Sequence, residues 1–524
     1  MKHSLVASGI RLSVLTTVSR ILGLVREMTK ASFLGTSALA DAFGVAFMIP
    51  NLLRRLFAEN SISVAFIPTF KSYLDDNNID KATINRFVNA TFTFISFFSA
   101  VAVIIGMIVT PLIVPFFVSD TETYIVPEMV FLTRTMFPYL FVISVAAFFQ
   151  GILNGIKIFL PSGFTPILFN ICVIGGTYLL SPFTENPARA MAYGVIIGGI
   201  VQALFQLPFV IKGGFTPCFT GLKTAFQNKG TKRVLSLIAP TVVGMAAYQL
   251  NDVVSTALAG QAGVGIVSSL QYSLRLQELI LGVFVVSIGT VILPDLSGFA
   301  KRCEWDEFNA MVKNAIQIIT FITIPITFFA LLFGENIIIF VYQSNEFASE
   351  SVQLTLQAFT FHIIGLYFIA LNRIIAPAFY AQQNTKSPTL AGIISFVINI
   401  ILAILLVGPM SGKGIALALT LASMANTVML FIFLKRTATM KAGELLQSGI
   451  LYALKLIIIS CIATLVVFLI KGTVFSWFEG LHRFLSQGIP LIINAVVFAV
   501  IGLVLLFFTQ DPLLMNIRKK KSAK

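Results

Sequence analysis

The chain has 524 residues, of which 57% are hydrophobic and only 11% are charged, and its mean hydropathy is +0.92. Because a water-soluble domain carries about 25% charged residues, most of this surface must face hydrocarbon, which argues against the soluble enzyme classes. In a soluble chain the net charge of +14 would indicate nucleic-acid binding. In a membrane protein it indicates basic cytoplasmic loops that face anionic lipids, and no nucleic-acid partner is expected.

Hydrophobic runs long enough to cross a bilayer, about 20 residues each, follow one another along the whole chain. Twelve are clear, and two weaker ones precede them because charged residues interrupt their apolar runs. In chain order the predicted spans lie near 9–33, 37–58, 87–115, 129–153, 160–181, 190–211, 234–259, 276–297, 314–334, 351–372, 387–408, 413–434, 450–470 and 488–509. The sequence therefore predicts an all-α polytopic membrane protein with fourteen transmembrane helices.

The distribution of Lys and Arg among the loops predicts the orientation. An even number of spans puts both termini on one side, and most loop Lys and Arg fall on that side, including those of the 212–233 loop and the C-terminal tail. The acidic stretches 119–123 and 335–350 fall on the opposite side. Because basic loops are retained in the cytoplasm, we predict that both termini are cytoplasmic.

A weak internal repeat predicts how the helices are grouped. Residues 14–35 align without gaps on 239–260, and 63–70 match 289–296, so the offset is 225 or 226 residues. Two such copies predict a six-helix N-terminal lobe (1–212), a basic cytoplasmic linker (213–233), a six-helix C-terminal lobe (234–436), and two further helices with a basic tail (437–524). Transporters commonly build a central binding site between repeats of this kind.

The four cysteines and three histidines are scattered and form no CxxC or Cys/His cluster. This spacing predicts no zinc, haem or iron–sulfur site. A membrane glycosyltransferase or ligase would need a cluster of catalytic carboxylates, commonly with a sizeable extracytoplasmic loop, and the sequence shows neither. We therefore predict that the protein is not an enzyme.

The first two predicted helices contain charges that lipid would not tolerate. These are Arg20, Arg26, Glu27 and Lys30 in the first helix, and Asp41, Arg54, Arg55 and Glu59 in the second. An arginine inside the membrane costs about 2.5–3.5 kcal/mol on insertion scales, so these groups must face one another or water. One interpretation is structural, with ion pairs and side chains that extend to the membrane surface. The other is a basic, water-filled cavity for an anionic substrate, and arginine suits a diphosphate because its planar fork donates two parallel hydrogen bonds.

The seventh and eighth predicted helices also contain polar residues. Arg275 begins the eighth helix, where a lone arginine would extend to the lipid headgroups. Asn251 and Asp252 lie inside the seventh helix, where an aspartate must be protonated, paired or bound to a cation. From the residues alone, structural pairing and cation binding are equally open.

Four segments resemble a known family: SRILGLVRE (19–27), ADAFGVAFMIPNLLRRLFAEN (40–60), AFIPTF (65–70) and YSLRLQELILGVFVVSIGTVILPDLS (272–297). They are similar to the MurJ/MviN family of lipid II flippases, in the multidrug/oligosaccharidyl-lipid/polysaccharide exporter superfamily. The resemblance extends over essentially the whole chain. It implies two six-helix lobes around a central cationic cavity, and two extra helices that form a groove for an undecaprenyl tail.

The resemblance also implies roles for individual residues. The family's essential arginines fall on Arg20, Arg26, Arg54 and Arg275, so that Arg275 becomes a substrate contact from the second lobe. Its acidic partner in the second helix falls on Asp41, and we expect Glu27, Arg55 and Glu59 to support the site. Some members bind sodium in the second lobe, for which Asp252, Asn251 and Asn399 are the candidate ligands here.

The function that the resemblance implies is transport of lipid II, the undecaprenyl-diphosphate-linked disaccharide-pentapeptide of peptidoglycan. Transport would run from the inner to the outer leaflet of the bacterial cytoplasmic membrane by alternating access, with Na⁺ or H⁺ as the coupling ion and no other cofactor. The expected partners are lipid II, anionic membrane lipids and enzymes of cell-wall synthesis. Two alternatives remain: a polysaccharide-lipid or drug/cation exporter of the same superfamily, and a non-transporting cell-wall scaffold. A drug exporter usually needs acidic cavity residues, and the basic excess argues against it.

Overall fold

The computed structural model describes residues 2–56, 62–282, 286–437 and 439–515, and within these ranges the chain forms helices and turns and no strand. By packing, it divides into two compact units, Met1–Ser268 and Ser269–Lys524. The all-α architecture predicted from the hydrophobic runs is confirmed.

The first unit contains ten complete α-helices within the described ranges. They are α1 (Lys2–Leu34), α2 (Ala38–Arg54), α3 (Ile67–Asp75), α4 (Lys81–Ile113), α5 (Val126–Met136), α6 (Pro138–Gly155), α7 (Leu160–Leu180), α8 (Pro187–Lys212), α9 (Leu222–Gln227) and α10 (Lys229–Gln261). A wide helical turn, Ile62–Phe66, precedes α3.

Helix α11 begins in the first unit and continues into the second. It is followed by seven further helices in the described part of the chain. Together with α11 (Ile266–Ile280), these are α12 (Val286–Arg302), α13 (Trp305–Tyr342), α14 (Ser349–Ala381), α15 (Lys386–Met410), α16 (Gly412–Lys435), α17 (Ala442–Ser476) and α18 (Arg483–Phe508).

Ten helical stretches of the described chain are long and apolar enough to cross a membrane. They coincide with ten of the fourteen predicted spans. The described parts of the other four, which are the first, second, seventh and eighth, are also helical, in α1, α2, α10, and α11 with α12. These four are less apolar because they carry charged residues inside their apolar runs, and the predicted count of fourteen fits this arrangement.

Some predicted spans consist of more than one helix. The fourth is divided between α5 and α6 at Phe137, and α6 begins with Pro138. Proline is well placed at a helix start because its missing N–H has no intrahelical acceptor there. The predicted eighth span, near 276–297, runs past the end of α11 at Ile280, and the next described helix begins at Val286.

The core of the first unit contains a cluster of buried phenylalanines. The ring of Phe66 lies 5.3 Å from that of Phe70, 5.8 Å from that of Phe87 and 4.7 Å from that of Phe148. Gly155 on α6 leaves room for this cluster, since a Cβ atom there would lie 2.5 Å from the Phe70 ring. These contacts pack α3 and α4 against α6.

Helices α7 and α8 approach each other at backbone distance. A Cβ atom on Gly176 would lie 2.9 Å from Cα of Gly194, and one on Gly194 would lie 3.1 Å from Cα of Val173. Small residues at a membrane helix interface permit this close approach, which increases van der Waals contact where no hydrophobic driving force exists between helices.

In the second unit, the last two helices pack on α13. Phe333 of α13, Val467 of α17 and Phe498 of α18 form a buried apolar cluster. At the other end of this group, Lys455 donates a 2.9 Å hydrogen bond to Asp511, which is fully buried and follows α18. The apolar cluster therefore binds the two helices predicted in addition to the lobes to α13, and the ionic contact joins α17 to the segment that follows α18.

The segment predicted as a linker, 213–233, packs on α4. Asn89 of α4 accepts a 3.1 Å hydrogen bond from the backbone N–H of Cys218, and the hydroxyl of Thr93 accepts a 2.8 Å bond from that of Thr220. Helix α10 also packs within the first unit, so the packing units divide the chain later than the predicted lobes do. The lobe boundaries remain a prediction.

Candidate functional site

Helices α1 and α2 position most of the predicted site residues, and a tight turn joins them. Gly35 has φ of 56°, a left-handed conformation that glycine adopts without strain. Ser37 then begins α2, where its hydroxyl accepts a 3.3 Å hydrogen bond from the backbone N–H of Ala40. The turn therefore joins the two helices on which most of the charged site residues were predicted.

Arg26 of α1 is enclosed by a carboxylate and two aromatic rings. Its terminal nitrogen lies 2.8 Å from Oε1 of Glu27, and its guanidinium carbon lies 5.7 Å from the ring centroids of both Phe47 and Phe169. The Arg26 side chain is 19% exposed. Among the described residues it has no polar partner other than Glu27, so most of its five N–H donors remain available to an anion.

The charged residues Lys30 and Asp41, near the α1–α2 turn, are buried. The ammonium group of Lys30 lies 6.0 Å from the ring of Phe43. The carboxylate of Asp41 accepts hydrogen bonds of 2.7 Å from the backbone N–H groups of Gly265 and Ser268. Asp41 therefore caps the N-terminus of α11, where a negative charge is favourable. The structure gives this predicted acidic partner a role in holding a helix end.

The neighbouring residues Arg54 and Arg55 have different partners. Arg54 donates a 2.9 Å hydrogen bond from Nε to Asn51, one helical turn earlier. Arg55 lies 3.6 Å from Asp252 of α10, and the two side chains are 48% and 47% exposed. An ion pair this exposed contributes at most about 1 kcal/mol. Glu59, the last predicted member of the group, lies outside the described residues.

In the second unit, Arg275 lies on α11 and pairs with Glu278 one turn later, at 3.3 Å. Buried polar groups hold the same helix. Ser273 lies 2.6 Å from Nδ1 of His362 on α14, and the side chain of Gln277 donates a hydrogen bond to the backbone carbonyl of His362. These anchoring residues were not predicted from the sequence. Their only signal was a histidine and a glutamine inside apolar helices.

The candidate cation ligands lie on helices of both units. Asp252 pairs with Arg55 in the first unit, Asn251 precedes it, and Asn399 is buried on α15 in the second unit. Within residues 2–56, 62–282, 286–437 and 439–515, no group of three or more His, Cys, Asp or Glu side chains could hold a metal ion. The coupling ion and its ligands remain a prediction.

These features define a class: a polytopic helical membrane protein of the transporter type, with arginines on its least apolar helices. The family model described as "Lipid II flippase MurJ" matches residues 30–488. A probable lipid II flippase MurJ of Treponema pallidum (strain Nichols) is 47% identical over 514 residues, which is 97% of each chain. The chain belongs to the MurJ family.

Further comparisons support this family assignment over most of the chain. The lipid II flippase MurJ of Burkholderia cenocepacia is 31% identical over 428 residues, 80% of this chain and 82% of that protein. The solved structure of a lipid II flippase MurJ in an inward closed conformation has a TM-score of 0.78 and 27% identity, covering 96% of this chain and 99% of that one. An inward-facing multidrug resistance MATE transporter has a TM-score of 0.64 at 13% identity, covering 84% and 99%, and this likeness shows the fold alone.

Proposed function

We propose that the protein transports lipid II across the cytoplasmic membrane of a bacterium, from the inner to the outer leaflet, for peptidoglycan synthesis. The observation that carries the proposal is the likeness to proteins named lipid II flippase, which extends over 97% of the chain in the Treponema relative. The substrate is a membrane lipid with a charged diphosphate, and the polar helices α1, α2 and α11 carry the arginines that such a group requires.

Arginines are the residues proposed to bind the diphosphate. Arg20, Arg26 and Arg54 belong to the first unit and Arg275 to the second. Arg26 has the best-defined surroundings, because Phe47 and Phe169 flank its guanidinium and partly exclude water. A guanidinium shielded in this way makes stronger electrostatic interactions than one in bulk water. Glu27 holds Arg26 in position when no substrate is bound, and a phosphate would compete with its carboxylate for the same donors.

Alternating access requires that the substrate interact differently with two states of the transporter. We propose that the arginines gather the diphosphate from the cytoplasmic side and release it on the other side. In the proposed orientation both termini are cytoplasmic. Na⁺ or H⁺ is the proposed coupling ion, with Asp252 as the candidate carboxylate.

A flippase-depleted bacterial strain tests this function. The wild-type chain should restore growth and move the lipid-linked precursor to the outer leaflet, as measured by its accessibility to an enzyme added outside. The triple variant Arg20→Ala/Arg26→Ala/Arg54→Ala should do neither at equal membrane abundance. Full growth and normal leaflet distribution with the triple variant would contradict the arginine site. Growth without any movement of the precursor would favour the non-transporting scaffold.

A further inference from the structure

Arg134 is an arginine inside a membrane-spanning stretch, and the proposed transport does not use it. It lies on α5 within the span Asp120–Gly155, and its side chain is exposed. Its Nε donates a 3.0 Å hydrogen bond to the backbone carbonyl of Met107 on α4. In a helix that carbonyl would accept from residue 111, but Pro111 has no N–H. Arg134 therefore supplies the donor that the proline withholds.

This bond fixes the guanidinium and leaves most of its donors unused. A guanidinium has five N–H groups, and only the one on Nε has a partner among the described residues. Arg134 cannot extend freely to the membrane surface while Met107 holds it. The four N–H groups on its terminal nitrogens therefore need an acceptor that the described part of the protein does not provide.

A cavity of about 440 Å³ lies at this position. Met107, Val130, Phe131, Arg134 and Thr135 are among the residues that line it. Thr135 lines the same space as Arg134, and its hydroxyl makes no hydrogen bond within the described chain. The volume falls within the range of about 300–1,000 Å³ that is typical of small-molecule sites.

Phe131, which lines the cavity, is held in place by a neighbouring ion pair. The guanidinium of Arg189 on α8 lies 4.1 Å from the ring centroid of Phe131. Arg189 is itself bound to both carboxylate oxygens of Glu128, at 2.9 and 2.6 Å. The Arg189–Glu128 ion pair therefore holds Phe131 in place. Because Arg189 is already paired, Arg134 is the cation that faces the cavity.

Arg134 lies nearer the start than the end of its membrane-spanning stretch, Asp120–Gly155. Eight residues separate it from the first residue of α5, Val126, which is about 12 Å along a helix. Helical side chains point toward the N-terminus of their helix, so the guanidinium lies nearer the membrane surface than its Cα atom. On α4, next to Met107, Ile104, Ile108 and Leu112 are exposed at a spacing of four residues and form an apolar row against which an acyl chain can lie.

We propose that this cavity binds the phosphodiester of a membrane phospholipid, with Arg134 and Thr135 as donors to the phosphate oxygens. The site lies in the half of the membrane next to the 114–125 connection. The orientation in the proposed function makes this the outer leaflet, and the binding itself does not depend on that orientation. This site is separate from the proposed transport site, because the residues proposed for transport are on other helices.

Native mass spectrometry of the full-length, delipidated protein in detergent, titrated with phosphatidylglycerol, tests the proposal. Arg134→Gln should weaken the tightest lipid binding at least about tenfold, because charge-assisted bonds to phosphate are lost. Val130→Trp should have the same effect by filling the cavity while Arg134 keeps its bond to Met107. Arg483→Gln is the control, because it also removes one positive charge, at the start of α18 and away from the cavity. Lipid binding by this variant should be unchanged.

Wild-type affinity in both Arg134→Gln and Val130→Trp would overturn the proposal, as would an equal loss in Arg483→Gln, since that would show an effect of total charge. Millimolar inorganic phosphate should not displace the lipid. Displacement would assign the site to free phosphate and overturn the lipid identification. None of these measurements uses lipid II, so failure of the phospholipid site and failure of the proposed transport are separately visible.

Discussion

Replacing Arg26 by glutamine should impair substrate binding far more than it impairs folding. In the protein, Arg26 contacts Glu27, Phe47 and Phe169. The two cation–π contacts contribute about 0.5–1 kcal/mol each at a partly exposed site, so the variant should lose about 1–2 kcal/mol of stability. This loss is small enough for the protein to reach the membrane at a normal level.

The effect on the substrate is larger. Hydrogen bonds to charged groups contribute about 1.5–3 kcal/mol, and each 1.4 kcal/mol is a factor of about ten in affinity. Arg26→Gln should therefore weaken binding of a lipid-linked diphosphate by about 10- to 150-fold. Arg26→Lys keeps the positive charge but loses the planar fork, so it should recover only part of this loss.

The assay is binding of an undecaprenyl-diphosphate-linked sugar to purified protein, together with growth of a flippase-depleted strain. Arg55→Gln is the matched comparison, because its half-exposed ion pair with Asp252 contributes at most about 1 kcal/mol, and its defect should be milder. Binding and growth at wild-type levels with Arg26→Gln, at equal membrane abundance, would refute the reasoning.

Three further predictions concern other parts of the molecule. Asp41→Ala removes the acceptor for two backbone N–H groups at the start of α11 and should lower stability by about 0.5–2 kcal/mol; an unchanged thermal midpoint in detergent would contradict this. Asp252→Asn should abolish the dependence of transport on sodium or pH in a folded protein, and an identical ion dependence would disprove the coupling role. Lys223→Cys, in an otherwise cysteine-free chain, should resist an impermeant thiol reagent applied to intact cells, and strong labelling would reverse the proposed orientation.

The helices could be predicted from the sequence because apolar runs are a local property. The ends of these runs were harder to place: α2 ends at Arg54 and α11 at Ile280, each inside a predicted span. The helices that carry the predicted site residues other than Asn399 stood out for the same local reason, since charges interrupt their hydrophobicity.

The partners of the charged residues could not be predicted in this way. Asp41 binds backbone groups at Gly265 and Ser268, more than 220 positions along the chain. The second ring beside Arg26 belongs to Phe169, on α7. Such pairs depend on which helices pack together, and a single sequence contains no local signal for that choice. The family resemblance supplied the list of arginines, whereas the surroundings of Arg26 required the structure.

The backbone contact between α7 and α8 limits how the first unit can move. At Gly176 and Gly194 no side chain lies between the two helices, so rotation of either helix would bring a larger side chain into a space that does not admit even a Cβ atom. Side chains elsewhere can change rotamer to let one helix pass another, but a main chain has no comparable freedom. The α7–α8 pair should therefore move as one rigid body during transport, and any sliding of helices past one another should occur at interfaces formed by side chains.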